Sequence, residues 1–426
     1  MQRNLRKLRA AAVFAALTLV AGACGSGDTQ SAGGGSGTAA PAAGSGGDLL
    51  LWTGGGPTGE ETKKLAKAFG EENGVNVTVQ IVPKDLQSQF VTASQAGKAP
   101  DVVFGAHDWI GNLVQNGTID PVQMTEETKA SFEDLAIKAV TFNGQTYGTP
   151  YTMNNIVLFR NTDLVPEAPK TFEDMVAKGK ELKAAGKVSE IAAYPIGANG
   201  DPYHINPLYT SGGGYMFGTL PNGDYNPKDL GVGTPESIQA YEKIGALGEK
   251  GEGVLKRSIT TDNILSLFTG KKTAFMISGP WQFAQLQKAA GLKYDVSPVP
   301  SFSGGKPAQP FITVDAAYVA SKGKNKALAQ EFVTNYWSRA DVAAALFKAN
   351  PNVPALKEAL KALESTDPLI VKVADAGRAN GQIMPSIPAM AAVWDPLGKA
   401  EAAVVGGADP SATITAAGKA ISAQIK

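Results

Sequence analysis

The 426-residue chain has one cysteine and two histidines. A single thiol cannot form an internal disulfide and offers no thiolate pair to a metal. His107 and His204 stand too far apart for a zinc-binding helix motif, and no other cluster of His, Cys and carboxylates takes its place. Arginine is scarce: Arg160 is the only one between Arg9 and Arg257. Phosphate and carboxylate ligands favour arginine near strand ends, so neither anion is expected. Gly-x-Ser-x-Gly elbows, Walker loops and dinucleotide fingerprints are absent, and the triple glycine at 54–56 lacks the Lys-Ser/Thr ending of a phosphate loop. The 39 basic and 39 acidic residues balance without a basic patch, which argues against nucleic acid. Only residues 10–23 form a sustained uncharged apolar run, too short to span a bilayer comfortably.

What is present starts at that run. Arg3, Arg6, Lys7 and Arg9 precede it, so residues 1–23 read as a signal peptide with a positive n-region and an apolar h-region. The segment Val20-Ala21-Gly22-Ala23-Cys24 resembles a bacterial lipoprotein signal, with Ala21 where Leu or Val is more usual. That resemblance implies that Cys24 is lipidated and becomes the mature N-terminus. Without the four basic residues of the signal the chain carries about −4. Residues 24–47 are almost entirely Gly, Ser, Ala and Thr and cannot bury enough apolar area to offset their ordering entropy. They read as a flexible linker that tethers a soluble body to the extracytoplasmic face of the cell membrane.

The body, from Asp48 on, is longer than one core usually supports, so two lobes are expected. Its first part alternates strand and helix: strands at 48–52, 75–81 and 101–104, with helices at 59–72 and 86–95 between them. That order predicts a parallel, doubly wound sheet whose ligand sits beyond the carboxyl ends of the strands. Those ends carry residues 54–57, Lys84 and Ala106-His107-Asp108-Trp109. Further strands are expected at 156–160, 191–196, 273–277 and 311–320, and a helix at 171–185. Ser278 is a candidate helix cap, with Pro280 in the first turn behind it. The last hundred residues are predicted to be mostly helical.

Four motifs occur in order. They are Asp101-Val-Val-Phe-Gly-Ala-His-Asp108, Asn222-Gly-Asp-Tyr225, Ser278-Gly-Pro-Trp281 and Ile383-Met-Pro-Ser-Ile-Pro-Ala-Met390. Together they resemble the maltose/maltodextrin-binding proteins among the family 1 extracellular solute-binding proteins, from about residue 49 to 425. The resemblance implies an α/β, two-lobed periplasmic-binding-protein-like fold in which an interleaved chain forms a hinge between the lobes. It places residues 48–152 and 316–365 in the N-terminal lobe and 153–312 and 368–426 in the C-terminal lobe. The crossings fall near 152–155, 312–315 and 365–368. It further implies a monomer without cofactor or metal that binds maltose or maltodextrin-type oligosaccharides and passes them to the permease subunits of an ABC transporter. Another di- or oligosaccharide, such as trehalose or a cello-glucan, is the alternative ligand.

A sugar presents hydroxyl groups and apolar C–H faces, so its site needs flat aromatic surfaces together with carboxylate or amide acceptors. The resemblance assigns hydroxyl acceptance to Asp108, for which helix capping is the competing role. Trp109 either stacks on sugar or covers the rim, and His107 reads as structural. In Asp201-Pro202-Tyr203 the implied roles are acceptor for Asp201 and stacking for Tyr203; a plain turn is the alternative. Trp281 and Trp394 are expected to form the stacking platform of the second lobe, with Met384 lining the pocket. Trp52 and Trp337 read as core. The chain departs from the family pattern at Gly55 and Gly56, in place of an Asp-Lys pair, at Gly105, in place of an aromatic, and at Asn154, in place of an acid. The first lobe therefore offers fewer charged hydroxyl partners than usual. An anchored glycoside hydrolase is the rival class. It needs two carboxylates paired across one bond, and no motif pairs Asp108 with Asp201 in that way, so no enzyme activity is expected.

Overall fold

The computed structural model describes residues 47–425; the signal segment, the lipidation residue Cys24 and the linker up to residue 46 lie outside the described residues. Strand β1 (Asp48–Thr53) buries Leu49 and Leu51. Helix α1 (Gly56–Asn73) follows, with Pro57 in its first turn and Gly74 ending it at φ 66°. Its entry is tight: a Cβ on Gly59 would lie 2.1 Å from the Gly54 carbonyl oxygen. Strand β2 (Asn76–Ile81), helix α2 (Leu86–Gln95) and strand β3 (Val102–Ala106) complete the unit. Both β2 and β3 pair with β1 in parallel, as the alternation predicts.

The sheet then changes character. Strand Phe311–Ala320 runs antiparallel to β3 and also pairs with strand Gly148–Asn155. A second sheet has Val157–Asn161 at its centre, flanked antiparallel by Phe275–Ser278 and Tyr294–Ser297. One residue, Ile156, separates the strand that ends the first sheet's share of the chain from the strand that opens the second. The cores divide in the same way. Most buried residues from 49–153 and 312–359 pack around the first sheet, and residues from 156–302 pack with 384–421 around the second; Val353 and Leu360 pack instead with Val157, Phe159 and Ile370 on the second. Along Phe311–Ala320 the change falls between Phe311, in the second core, and Ile312, in the first.

Local sequence explains most of these elements. Helix Phe172–Ala184 opens on a capping box in which Thr171 and Asp174 each accept the other's backbone N–H. Residues 191–196 differ from expectation. They are buried, but they make only an isolated bridge, Ala193 with Met276, and no strand. Ala193 alone exchanges backbone hydrogen bonds with Phe275 and Ile277, so the run lies along the edge of the second sheet without extending into a ladder. Ser278 also differs: it ends a strand, and Gly279 takes the cap position before the short turn Pro280–Gln282. Trp337 is core, at 2% exposure, whereas Trp52 is only partly buried. Among the described residues, no helix is long and apolar enough to cross a membrane, and no group of three or more His, Cys, Asp and Glu could hold a metal.

Candidate functional site

The β3 strand delivers His107, Asp108 and Trp109 to a single turn beyond its carboxyl end. His107 is fully buried and spans two segments. Its Nδ1 accepts the Val314 N–H at 3.0 Å, and its Nε2 lies 3.0 Å from the Met384 carbonyl. Only the neutral ring with the proton on Nε2 satisfies both bonds. Burial holds its pKa down, to about 4. His107 is thus a structural pin between β3, the long strand and the segment at 384.

Asp108 caps no helix: neither the turn His107–Trp109 nor the helix Ile110–Gln115 has a side-chain cap. Its Oδ1 is buried and without a hydrogen-bond partner. Burial, with a further push from Asp315, lifts its pKa to about 6. An uncommitted carboxylate oxygen of this kind is an acceptor in search of a donor. Trp109 folds back over Gly105, where a Cβ would meet the indole at 2.0 Å. The missing aromatic at 105 is therefore the space that Trp109 occupies. Trp109 lines a cavity of about 410 Å³ together with Gly55, Tyr151 and Asp315.

The core around the second sheet supplies the aromatic surface. Tyr203 lies 6.4 Å from Trp281, centroid to centroid, and stacks on Phe311 at 6.2 Å; Phe311 in turn meets Trp394 edge-on at 6.4 Å. Tyr203, Trp281 and Trp394 are each only partly buried against their core. Trp281 repeats the device seen at Trp109, since a Cβ on Gly279 would meet its indole at 2.2 Å. Burial raises the Tyr203 hydroxyl pKa, and the charges of Asp201, Asp315 and Asp108 raise it further. The aromatic cluster of one lobe and the free carboxylate of the other are therefore within electrostatic reach.

The remaining expected residues are placed differently. Asp201 caps helix Pro202–Ser211: its Oδ1 accepts the His204 N–H at 3.1 Å and its Oδ2 lies 2.7 Å from His204 Nδ1. Beneath it, Glu401 is wholly buried and accepts the Asp201 N–H at 3.0 Å. Burial drives the Glu401 pKa well upward. Asn154 is buried, and its side-chain oxygen accepts the Val353 N–H at 3.2 Å. Met384 is buried and borders a separate, larger cavity of about 940 Å³ whose walls include Phe142, Tyr225 and Ile387. It shares none of the 410 Å³ cavity. Sequence reasoning missed Phe311, Asp315, His204 and Glu401. Phe311 and Asp315 were hidden in a strand-like run, and Glu401 in a helix whose neighbours Ala400, Ala402 and Val404 are apolar and buried.

A family model described as "Bacterial extracellular solute-binding protein" matches residues 64–372. The chain belongs to this family. Among relatives of this solute-binding protein, a "Galactooligosaccharide-binding protein" of Bacillus subtilis is 28% identical over 97% of this chain and 96% of its own length. A "Maltooligosaccharide ABC transporter solute-binding lipoprotein" of Streptococcus pneumoniae is 29% identical over 78% of each chain. The solved structure titled "Thermus thermophilus maltotriose binding protein bound with maltotriose" matches with a TM-score of 0.77 at 27% identity, over 89% of this chain and 100% of that one. The fold of this solute-binding protein is accordingly two-lobed α/β, as the motifs implied.

Proposed function

We propose that this solute-binding protein captures maltodextrin-type oligosaccharides between its two lobes and passes them to the permease subunits of an ABC importer. The observation that carries the reading is the pairing of the Tyr203, Trp281 and Trp394 cluster with the partnerless Asp108 oxygen. Flat apolar faces suit the C–H side of a sugar ring, and an ionised acceptor suits its hydroxyls. On this reading residues 48–152 and 316–365 form one lobe, 153–312 and 368–426 the other, and a lipid on Cys24 holds the monomer at the outer membrane face of the cell. The protein acts as a binder: Asp201 is committed to its helix and to His204, so it does not offer a free second carboxylate to glycoside cleavage. Asp201 contributes by holding Tyr203 in place, and Trp109 by walling the first-lobe end of the cleft. Asn154 acts through the Val353 backbone it holds, and Met384 through its own carbonyl, which accepts the His107 Nε2–H.

A galactooligosaccharide ligand is the second reading, favoured by the relative of that name, which matches nearly the whole chain. Isothermal titration of residues 25–426 with maltose, maltotriose, maltotetraose, trehalose, cellobiose and a galactotriose decides between them. Saturable heat with the α-1,4 series and no released glucose supports the first reading. Preference for galactotriose moves the specificity and keeps the transport role. No heat with any sugar, or sugar hydrolysis, sinks both.

A further inference from the structure

The first lobe lacks three charged hydroxyl partners of the family pattern, at Gly55, Gly56 and Asn154, and yet it carries an acid that the pattern did not flag. Asp315 stands in Phe311–Ala320, a strand whose only other polar members are Thr313 and the buried Tyr318. Its position is special. The pairing of this strand with Gly148–Asn155 is regular up to Asp315 and shifts register between Asp315 and Ala316. The extra residue is Tyr151 on the partner strand, between Thr152 and Pro150, and it borders the same cavity as Asp315; such bulges recur beside functional sites. Asp315 borders the 410 Å³ cavity, alongside Gly55, Tyr151 and Trp109.

Nothing in the surrounding structure neutralises it. Its one hydrogen bond comes from the Thr152 hydroxyl to Oδ2 at 2.7 Å, and no cation reaches it within 4.0 Å among the described residues. Asp315 is half-buried, and burial raises its carboxyl pKa, so the ionised group gains from a hydroxyl donor that enters the cavity. Neighbouring groups are similarly unfinished: Asp108 Oδ1 and the Tyr318 hydroxyl are buried without partners, and the charge of Asp315 acts on both residues. Thr152 holds one oxygen in place, and the other is left for a ligand.

We propose that Asp315 is a further carbohydrate-binding residue, whose carboxylate accepts sugar hydroxyl hydrogens in the first-lobe cavity and takes over the role lost at Gly55, Gly56 and Asn154. This rests on the oligosaccharide reading above. Gly54 and Gly55 border the same cavity as Asp315 and put no side chain into it. The ligand consequently presents at least one hydroxyl to Asp315 in addition to those that reach Asp108.

The test titrates maltotriose and a galactotriose into residues 25–426 as wild type, Asp315→Asn, Asp315→Ala and Trp281→Ala, with the melting temperature of each. A sugar-binding Asp315 loses about tenfold or more in affinity in both of its variants. At the same time Asp315→Asn melts at or above the wild-type temperature, because an unpaired charge has gone. Unchanged affinity in Asp315→Asn, with loss in Trp281→Ala, overturns the assignment and leaves the sugar-binding reading intact. A fall in melting temperature in both Asp315 variants that accounts for the lost affinity makes the residue structural and also overturns it. If the wild type binds neither trisaccharide, the oligosaccharide reading and Asp315 fall together.

Discussion

His107 and Asp108 are neighbours whose burial pushes their titrations in opposite senses. Asp108 is raised from 3.8 to about 6, so the folded state holds its proton longer than the unfolded chain. Its contribution to stability is therefore lost as pH climbs from about 4 to 6. His107 is lowered from 6.5 to about 4, so the unfolded chain takes up a proton first and stability is lost as pH falls through that same window. The two effects oppose each other. Asp108→Asn leaves His107 acting alone, and its melting temperature should climb more steeply between pH 4 and 6.5 than that of the wild type. Near pH 7 the variant should be the more stable by at most about 3 kcal/mol, from a shift of roughly two units. Calorimetry across pH checks both; parallel curves would remove Asp108 from the buried, raised class. Glu401 is common to both proteins and cancels in the difference, whereas Asp315, which is coupled to Asp108, loses that repulsion in the variant and adds to the gain at higher pH.

Glycine acts at this scale through the indoles it admits. Gly279→Ala places a methyl where the Trp281 ring now lies, 2.2 Å away, so the ring must leave. The variant should lose about tenfold in sugar affinity, close to Trp281→Ala itself, although residue 279 touches no ligand. Titration compared with circular dichroism separates a displaced ring from a misfolded lobe.

Among the elements, helix Pro202–Ser211 tests what an N-cap is worth in this site. Asp201 supplies the cap and grips His204, while Glu401 holds its N–H from below. Asp201→Ala should destabilise by about 0.5–2 kcal/mol, and Asp201→Asn, an equally good cap, by far less. Melting curves of the two variants give that ordering. If Asn instead costs as much as Ala, the bond to His204 outweighs the cap. Elements such as this one were readable because their signals are local. The α2 range and the Phe311–Ala320 range coincide with expectation, since periodicity and turn residues bound them on both sides. Residues 191–196 failed for the same reason: an apolar run states that it is buried and says nothing of whether a partner edge is free. The role of Asp315 was invisible because it depends on neighbours far away in the chain, the Thr152 hydroxyl and the cavity it shares with Gly55 and Trp109.

At the scale of the whole molecule, the decisive feature is how few residues join the two sheets. Asn155 still pairs with Ile312 in the first sheet, and Val157 already pairs with Ser278 in the second. The order of motifs implied such crossings, but periodicity alone could not locate them, because the pairing that defines each sheet is non-local. Apart from Val353 and Leu360, which pack with the second sheet, the two cores are separate, so a connection of one residue can flex with little loss of packing in either. The aromatic cluster belongs to the second core and the Asp108 oxygen to the first, so a sugar that touches both stabilises the approach of the lobes by its differential affinity for the closed arrangement. Saturating ligand should therefore reduce the radius of gyration in small-angle scattering, and at about 100 times Kd it should add roughly 2.7 kcal/mol of stability. Trp281→Ala, about tenfold weaker and so at only about 10 times its own Kd at the same sugar concentration, should gain only about 1.4 kcal/mol and compact less, because the second-lobe contact that rewards closure is gone. Neither change in the wild type would mean that the sugar does not bind. Stabilisation without compaction would mean that the sugar binds one lobe only and the carboxylates of the other do not share it.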